Sequence, residues 1–398
     1  MKILFLTDNF YPEMNAPANR TYEHCREWVK MGMDVTVITC VPNFPAGKVF
    51  PGYKNKLYQK EFIDGIKVIR VWSYITANTG TFKRIVDYIS FAFMAFIVSI
   101  FIRTEIIIAT SPQFFTAIAG RLSSFFKRKP WVMEVRDIWP ESIVAVGAMK
   151  KSKAISLLEI IEKHLYKSAA KIVVVTDSFK ENIIQKGIDP KKIYVIKNGV
   201  YIDKFKPIPK NLSVIEKLNL REKFVLAYFG THGMAHRLDF ILNCAKNIQD
   251  PEIHILFIGD GAERENLIKL KEELSLTNVT MLYSVPKNEI QNFISIIDVA
   301  LVTLKKSDTF KSVIPSKIFE NAAMHKPIFL GVEGESKELV ENYKVGLCFE
   351  PENEKDFLGK LNEIKMNTLN KIYIDGCVRM TKDFNRINLA HKMIEAIK

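Results

Sequence analysis

At 398 residues, with 48% hydrophobic and 25% charged positions, the chain is long enough for two α/β domains with separate cores. Its 57 Lys+Arg against 44 Asp+Glu leave a net charge of +13, which suits nucleic acid, an anionic membrane surface or a phosphorylated ligand. No zinc finger, RNP-type aromatic stretch or arginine-rich arm is present. Nucleic acid is therefore the least supported partner, and anionic lipid plus a nucleoside diphosphate the simplest combination. The five cysteines are scattered and form no C-x-x-C or Cys/His cluster, as expected of small core residues in a reduced cytoplasm.

Lys2–Leu6 reads as an apolar strand rather than a signal peptide, because Thr7–Asp8 ends it at once. Glu13–Arg20 (EMNAPANR) is a loop leading into a helix through about Met31, and Asp34–Thr39 is the next strand. This opening belongs to a Rossmann-like domain, whose ligands gather at the carboxyl ends of strands. The absence of G-x-G-x-x-G argues against a nicotinamide enzyme. Asn43–Lys60 shows no periodicity and reads as a long exposed loop. Its Lys48, Lys54, Lys56 and Lys60 among Phe50, Tyr53 and Tyr58 suit either a membrane interface or plain solvation.

Tyr88–Ile102 (YISFAFMAFIVSIFI) is uncharged between Lys83–Arg84 and Arg103. As a helix it would reach roughly 22 Å, short of the ~30 Å hydrocarbon core, so a spanning segment is not expected. A helix apolar on all faces is either buried or lies in one leaflet with basic ends at the headgroups, and the second is the expectation. Strands follow at Glu105–Ala109 and Trp131–Val135, the latter running into RDIWPES. Arg136, Asp137 and Glu141 thus stand at a strand's carboxyl end, where Asp137 either works on a ligand or caps the next helix.

Ile172–Thr176 and Lys192–Ile196 complete the first sheet, and FKPIPKNLSV is the linker. The pattern then restarts at Phe224–Phe229, followed by GTHGMAHR (Gly230–Arg237), whose successive N–H groups suit an anion nest. His254–Ile258 leads to a tight turn at Asp260–Gly261, and Val279–Leu282, Val285 and Val299–Thr303 continue the sheet around an Asn288–Ile296 helix. In Pro315–Ile328 (PSKIFENAAMHKPI), Pro315 and Ser316 suit a helix entry with Ser316 as cap, Lys317–Met324 is the helix, and Lys326–Pro327 stops it. A helix start draws phosphate, Lys317 adds a cation, and Glu320 is an acceptor-only carboxylate suited to ribose hydroxyls. A capped helix that merely supports the sheet would read the same way.

PSKIFENAAMHKPI resembles, nearly residue for residue, the donor-site signature PSKxFEYMAxGKPI of bacterial glycosyltransferase family 4, in particular its WbuB-like subgroup of O-antigen and capsule synthesis. PEMNAPANR resembles the family's PExxAPAxR, RDIWPES its RDLWPES, and NGVYIDKF its NGVDxxxF with Tyr201 in place of Asp, so the likeness covers nearly the whole chain. It implies an α/β protein of GT-B architecture, two Rossmann-like domains with an interdomain cleft. Residues 1–205 would bind the acceptor and 206–379 the nucleotide sugar, with a helix at about 380–398 packing back on the first domain.

By the same likeness, Glu13, Asn15, Ala16 and Arg20 are acceptor-side residues. Arg136, Asp137 and Glu141 border the reaction centre, with Asp137 orienting the acceptor or acting as base. The donor falls among Gly230, Thr231, His232, Gly233, His236, Arg237, Gly259, Asp260, Pro315, Ser316, Lys317 and Glu320. The chain departs from the pattern at Ser312 (first Glu of E-x7-E), Thr231 and His236 (an Arg/Lys pair), Arg237 (Gly) and His325 (Gly).

No D-x-D occurs, so no metal is expected, and helix N-termini, backbone N–H groups and cations would neutralise the leaving diphosphate. The implied activity is retaining transfer of a sugar, such as an N-acetylated deoxyhexosamine, from a UDP-sugar to a polyprenyl-diphosphate-linked saccharide. The implied place is the cytoplasmic face of the membrane, with monotopic contact through about Tyr88–Ile102. The alternatives are a GT-B-fold UDP-sugar 2-epimerase and a catalytically silent membrane scaffold of polysaccharide assembly.

Overall fold

The computed structural model describes residues 1–44, 46–76, 81–111, 114–145, 152–286, 289–368 and 371–398. Two compact units share the chain: Met1–Lys197 with Arg386–Lys398, and Asn198–Asn385.

In the first unit the strands are β1 (Lys2–Leu6), β2 (Asp34–Thr39), β3 (Tyr58–Ile63), β4 (Ile66–Val71), β5 (Ile106–Thr110), β6 (Trp131–Val135), β7 (Lys171–Val174) and β8 (Ile193–Val195). They form one sheet in the order β3-β4-β2-β1-β5-β6-β7-β8, parallel throughout except for the β3 edge. Its central strands are continuous apolar runs because helices cover both faces. On one face Leu4, Ile38 and Ile107 pack with Phe91 and Ala95 of the Thr81–Ile100 helix and Ala117 of Phe114–Lys127. On the other, Phe5, Val37 and Ile108 pack with Cys25 and Trp28 of Ala16–Lys30 and with Leu389 and Met393 of Arg386–Ile397. Strand order reverses between β1 and β5, the place where doubly wound sheets open a ligand crevice.

Tyr58–Lys60, expected in a loop, opens β3. Asp64 and Gly65, both at positive φ (47° and 79°), supply the two-residue turn of the β3–β4 hairpin. The helix expected at Tyr88 begins at Thr81 and is only half enclosed. Phe91, Ala92, Ala95 and Ser99 are buried, whereas Ile89, Phe93, Ile97 and Ile100 are exposed. Among the described residues no helix is long and apolar enough to cross a membrane.

The second unit contains β9 (Phe224–Phe229), β10 (Ile253–Ile258), β11 (Val279–Leu282), β12 (Val299–Thr303), β13 (Ile328–Gly331) and β14 (Gly346–Cys348). All pair in parallel in the order β11-β10-β9-β12-β13-β14, with the reversal between β9 and β12. Val285, expected in the sheet, lies in the loop after β11. Asn198–Phe205, expected to close the first domain, instead buries Val200 and Phe205 in the second unit's core. The backbone there is tied by Val200 N donating to Phe384 O at 3.0 Å. Helix Lys371–Asp383 stays with this unit, and Arg386–Ile397 belongs to the first.

Candidate functional site

In the second unit the loops after β9, β10 and β12 meet at the carboxyl ends of their strands. Gly230 N donates to Ile258 O, His232 N to Asp260 O and Lys305 N to Ala235 O, at 2.9, 2.9 and 2.8 Å. So close an approach excludes side chains: a Cβ on Gly259 would collide with Gly230 O, and one on Gly261 with His232 O. Lys317 passes over Gly230, where a Cβ would stand 2.6 Å from Nζ, and donates to Tyr228 Oη at 2.8 Å. Burial lowers the Lys317 ammonium to about 7, with Glu320 on the next turn opposing.

His232 is fully buried, and neither of its ring nitrogens has a hydrogen-bond partner. Burial first and the Arg264 charge next lower it to about 4, against Asp260. His236 Nδ1 is also unpartnered, and burial with the nearby Lys317 charge lowers that ring to about 3. Buried polar atoms without partners are uncommon, and here they cluster beside a lysine at the reversal of strand order.

Other donor-side candidates have structural duties. Arg237, at φ 46°, pairs with Asp239 (3.0 Å) and Glu352 (2.7 Å), so its guanidinium is committed away from any diphosphate. Asp260 Oδ1 accepts from Gly261 N at 2.8 Å, Gly233 precedes the Met234–His236 turn, and Thr231 O accepts from Tyr228. Ser316 does not cap through its side chain as expected. It is already helical (φ −61°, ψ −24°), and its carbonyl accepts from Phe319 N and Glu320 N, while Pro315 O accepts from Ile318 N. His325 adopts φ 56° just after this helix, a conformation natural to glycine.

Sequence reasoning missed Tyr228 and Arg264. The buried Arg264 donates to Gly259 O (3.1 Å) and Leu282 O (3.0 Å) and lies 3.8 Å from the Tyr283 ring centroid, tying the ends of β10 and β11. Nothing in the local sequence marks either role.

In the first unit, Ser111 Oγ accepts from Arg136 N (2.7 Å) and Asp137 N (3.3 Å), fixing the turn after β6 against the end of β5. Asp137 Oδ2 accepts from Ser142 Oγ at 3.0 Å. Burial raises its carboxyl above the usual range, with Ser142 and the Ile138 backbone opposing. Arg136 donates to Pro17 O at 3.1 Å, and burial lowers it to about 9 despite Glu134. Glu141 turns to Asn182 (3.2 Å) and Lys186 (3.6 Å) with an exposed side chain.

Of the acceptor-side candidates, Arg20 is 1% exposed and donates to Glu134, Ile196 O and Lys197 O. It is a core tie rather than a ligand at a loop. Glu13 is buried and receives Asn43 N and Phe44 N at 2.8 and 2.9 Å, anchoring the basic loop. Asn15 caps the Ala16–Lys30 helix through Ala18 N and reaches Asn9, and Ala16 is exposed at its start. Among the described residues, no group of three or more His, Cys, Asp or Glu is placed to hold a metal ion.

Residues 15–199 match the Glycosyl transferase 4-like domain and residues 213–374 the Glycosyl transferases group 1 family. The chain is 27% identical over 238 residues to the probable glycosyltransferase WbjE of Pseudomonas aeruginosa, covering 59% of each protein. It is 22% identical over 392 residues to the putative colanic acid biosynthesis glycosyl transferase WcaI of Escherichia coli K12, covering 94% of this chain and 96% of that one. Anabaena HepE, solved with UDP, superposes with a TM-score of 0.72 at 16% identity over 100% of this chain and 99% of that one, a likeness of fold. The chain therefore belongs to the glycosyltransferases that join a 4-like domain to a group 1 domain on the GT-B fold.

Proposed function

We propose that the chain transfers a sugar from a UDP-sugar to a polyprenyl-diphosphate-linked saccharide during synthesis of a surface polysaccharide, at the cytoplasmic face of the membrane. The observation that carries the donor side is the cluster of His232 and His236 beside Lys317 at the strand reversal of the second unit. UDP in HepE and the colanic acid assignment of WcaI support the class of donor and product. An N-acetylated deoxyhexosamine donor and WbuB-like specificity follow from the signature likeness.

In this reading Glu320 holds the ribose hydroxyls, and Lys317 with loop N–H groups takes up the charge developing on the diphosphate, without a divalent ion. The acceptor hydroxyl oxygen attacks the anomeric carbon from the face that UDP leaves. The carbon–oxygen bond to the β-phosphate breaks with its electron pair going to UDP, the acceptor's proton passes to a β-phosphate oxygen, and configuration is retained. Asp137 orients the acceptor hydroxyl.

Membrane contact is supported by an apolar surface wider than one helix. Phe93, Ile97 and Phe101 are exposed beside Leu122, Phe125 and Phe126. The two helices are joined by Ser99–Ser123 at 2.6 Å, by Phe96 and Phe126 rings 5.4 Å apart, and by Lys127 Nζ on Ile100 O at 2.9 Å. Exposed Lys83, Arg84, Arg103, Arg128 and Lys129 rim it, an arrangement suited to anionic headgroups.

Calorimetry of UDP in EDTA, with GDP and ADP as controls, tests the donor reading. Selective UDP binding is expected, weakened in Glu320→Ala and intact in Asp137→Ala, which should lose transfer. Metal-dependent binding or normal turnover of Asp137→Ala would overturn the respective assignment. UDP binding with no transfer to any lipid acceptor would favour the silent scaffold.

A further inference from the structure

Tyr228, in β9, has a hydroxyl with a single proton, and burial raises the phenol well above its ordinary value, so that proton stays. Thr231 O and Lys317 Nζ both lie 2.8 Å from Oη. The carbonyl can only accept, so Oη donates to Thr231 and accepts from Lys317. The polarity of the chain Lys317–Tyr228–Thr231 is thereby fixed. Nζ also lies 4.1 Å from the Tyr228 ring centroid, and the rings of His232 and His236 flank it at 6.1 and 5.6 Å. One aromatic side chain thus borders Lys317, His232 and His236 together. Gly230 leaves the gap through which the lysine passes, since a Cβ there would meet Cε at 2.5 Å.

We infer that Tyr228 is a positioning residue for the donor: its hydroxyl takes one N–H of Lys317 and so presents the remaining N–H groups to a nucleoside diphosphate oxygen at the edge of Gly230. This rests on the donor reading above. The groups facing this point are His232 and His236 on the loop after β9 and Glu320 on the lysine's own helix, while Asp260 and Arg264 act on His232. Burial holds the Lys317 ammonium at about 7, so an arriving diphosphate draws a proton from solvent onto it.

The test is Tyr228→Phe, which keeps the ring and deletes the acceptor oxygen. UDP affinity is measured by calorimetry from pH 6 to 9, in buffers of differing ionisation enthalpy so that proton uptake is read directly. The wild type should take up a fraction of a proton near neutral pH. Tyr228→Phe should bind about tenfold more weakly, the loss expected for a hydrogen bond to a charged group. Its affinity should also fall off at a lower pH, because the ammonium has lost an acceptor. A purely structural defect would weaken binding equally at every pH and overturn the inference. Lys317→Met should bind weakly with no pH-dependent uptake, and uptake persisting in that variant would equally count against it. A wild type that does not bind UDP removes the donor reading itself. A wild type that binds, with Tyr228→Phe unchanged in affinity and pH profile, removes this inference alone.

Discussion

Replacing Arg20 by alanine deletes the donors that serve Glu134 Oε1 at 2.9 Å, Ile196 O at 2.8 Å and Lys197 O at 2.9 Å. Both partners of the ion pair are 1% exposed, so solvent cannot take over. Breaking a buried pair from one side costs about 3–5 kcal/mol, because the remaining charge stays desolvated. Arg136 also acts on Glu134, which places the expected loss near the lower end of that range. For a unit of this size each kcal/mol moves the melting point by about 2–4 °C, so a fall of about 6–12 °C is expected by calorimetry or circular dichroism. Arg20→Met with Glu134→Leu should recover most of it, since an apolar pair leaves no stranded charge.

The pH dependence has a definite sign. Burial alone would raise Glu134, but Arg20 and Arg136 prevail and hold it below the ordinary 4.5. A depressed carboxylate stabilises the fold fully above the unfolded value and loses that contribution as pH falls through the folded one, so Arg20→Ala should flatten the acid limb. A melting point within about 2 °C of the wild type, together with a raised acceptor KM, would refute the core role and return Arg20 to the acceptor site.

Gly259→Ala puts a Cβ into Gly230 O, so the loops after β9 and β10 must separate. UDP affinity should be lost at a stability cost of about 1–3 kcal/mol, and an unchanged UDP titration would contradict the close-approach argument. Phe93→Asp with Phe125→Asp alters side chains that are 61% and 65% exposed, so the fold should melt normally. Flotation with anionic phospholipid vesicles should fall at least about tenfold, and wild-type binding should weaken in high salt as the basic rim is screened. Equal flotation of both proteins would sink the membrane assignment.

The buried strands were legible because a parallel strand covered on both faces has to be an apolar run. Asp34–Thr39, Trp131–Val135 and Phe224–Phe229 appear where the sequence places them. Edge strand β3 was not, since Tyr58–Ile63 has one neighbour and no buried position: Tyr58, Lys60 and Phe62 are exposed, and Gln59, Glu61 and Ile63 only half-buried. The Asp64–Gly65 pair was the signal that marks its turn. The PSK block announced its helix, but not the missing side-chain cap, because Ser316 had already entered helical backbone. Arg20 and Tyr228 were opaque for a different reason. Their partners Glu134 and Lys317 lie far along the chain, and only the fold brings them within 3 Å.

Helix Arg386–Ile397 places Leu389, Ala390, Met393 and Ile394 against Cys25 and Trp28 in the first unit. During translation the ribosome must therefore make all of Asn198–Asn385 before that face can close. At ~5–20 residues per second the delay is roughly 10–40 s. Throughout it the nascent first unit shows an uncovered apolar groove along Ala16–Lys30, while the second unit completes its last strand, Gly346–Cys348, before the covering helix is made. The unit that begins first is the one that finishes last, and a chaperone acting on the growing chain would find its substrate in that groove.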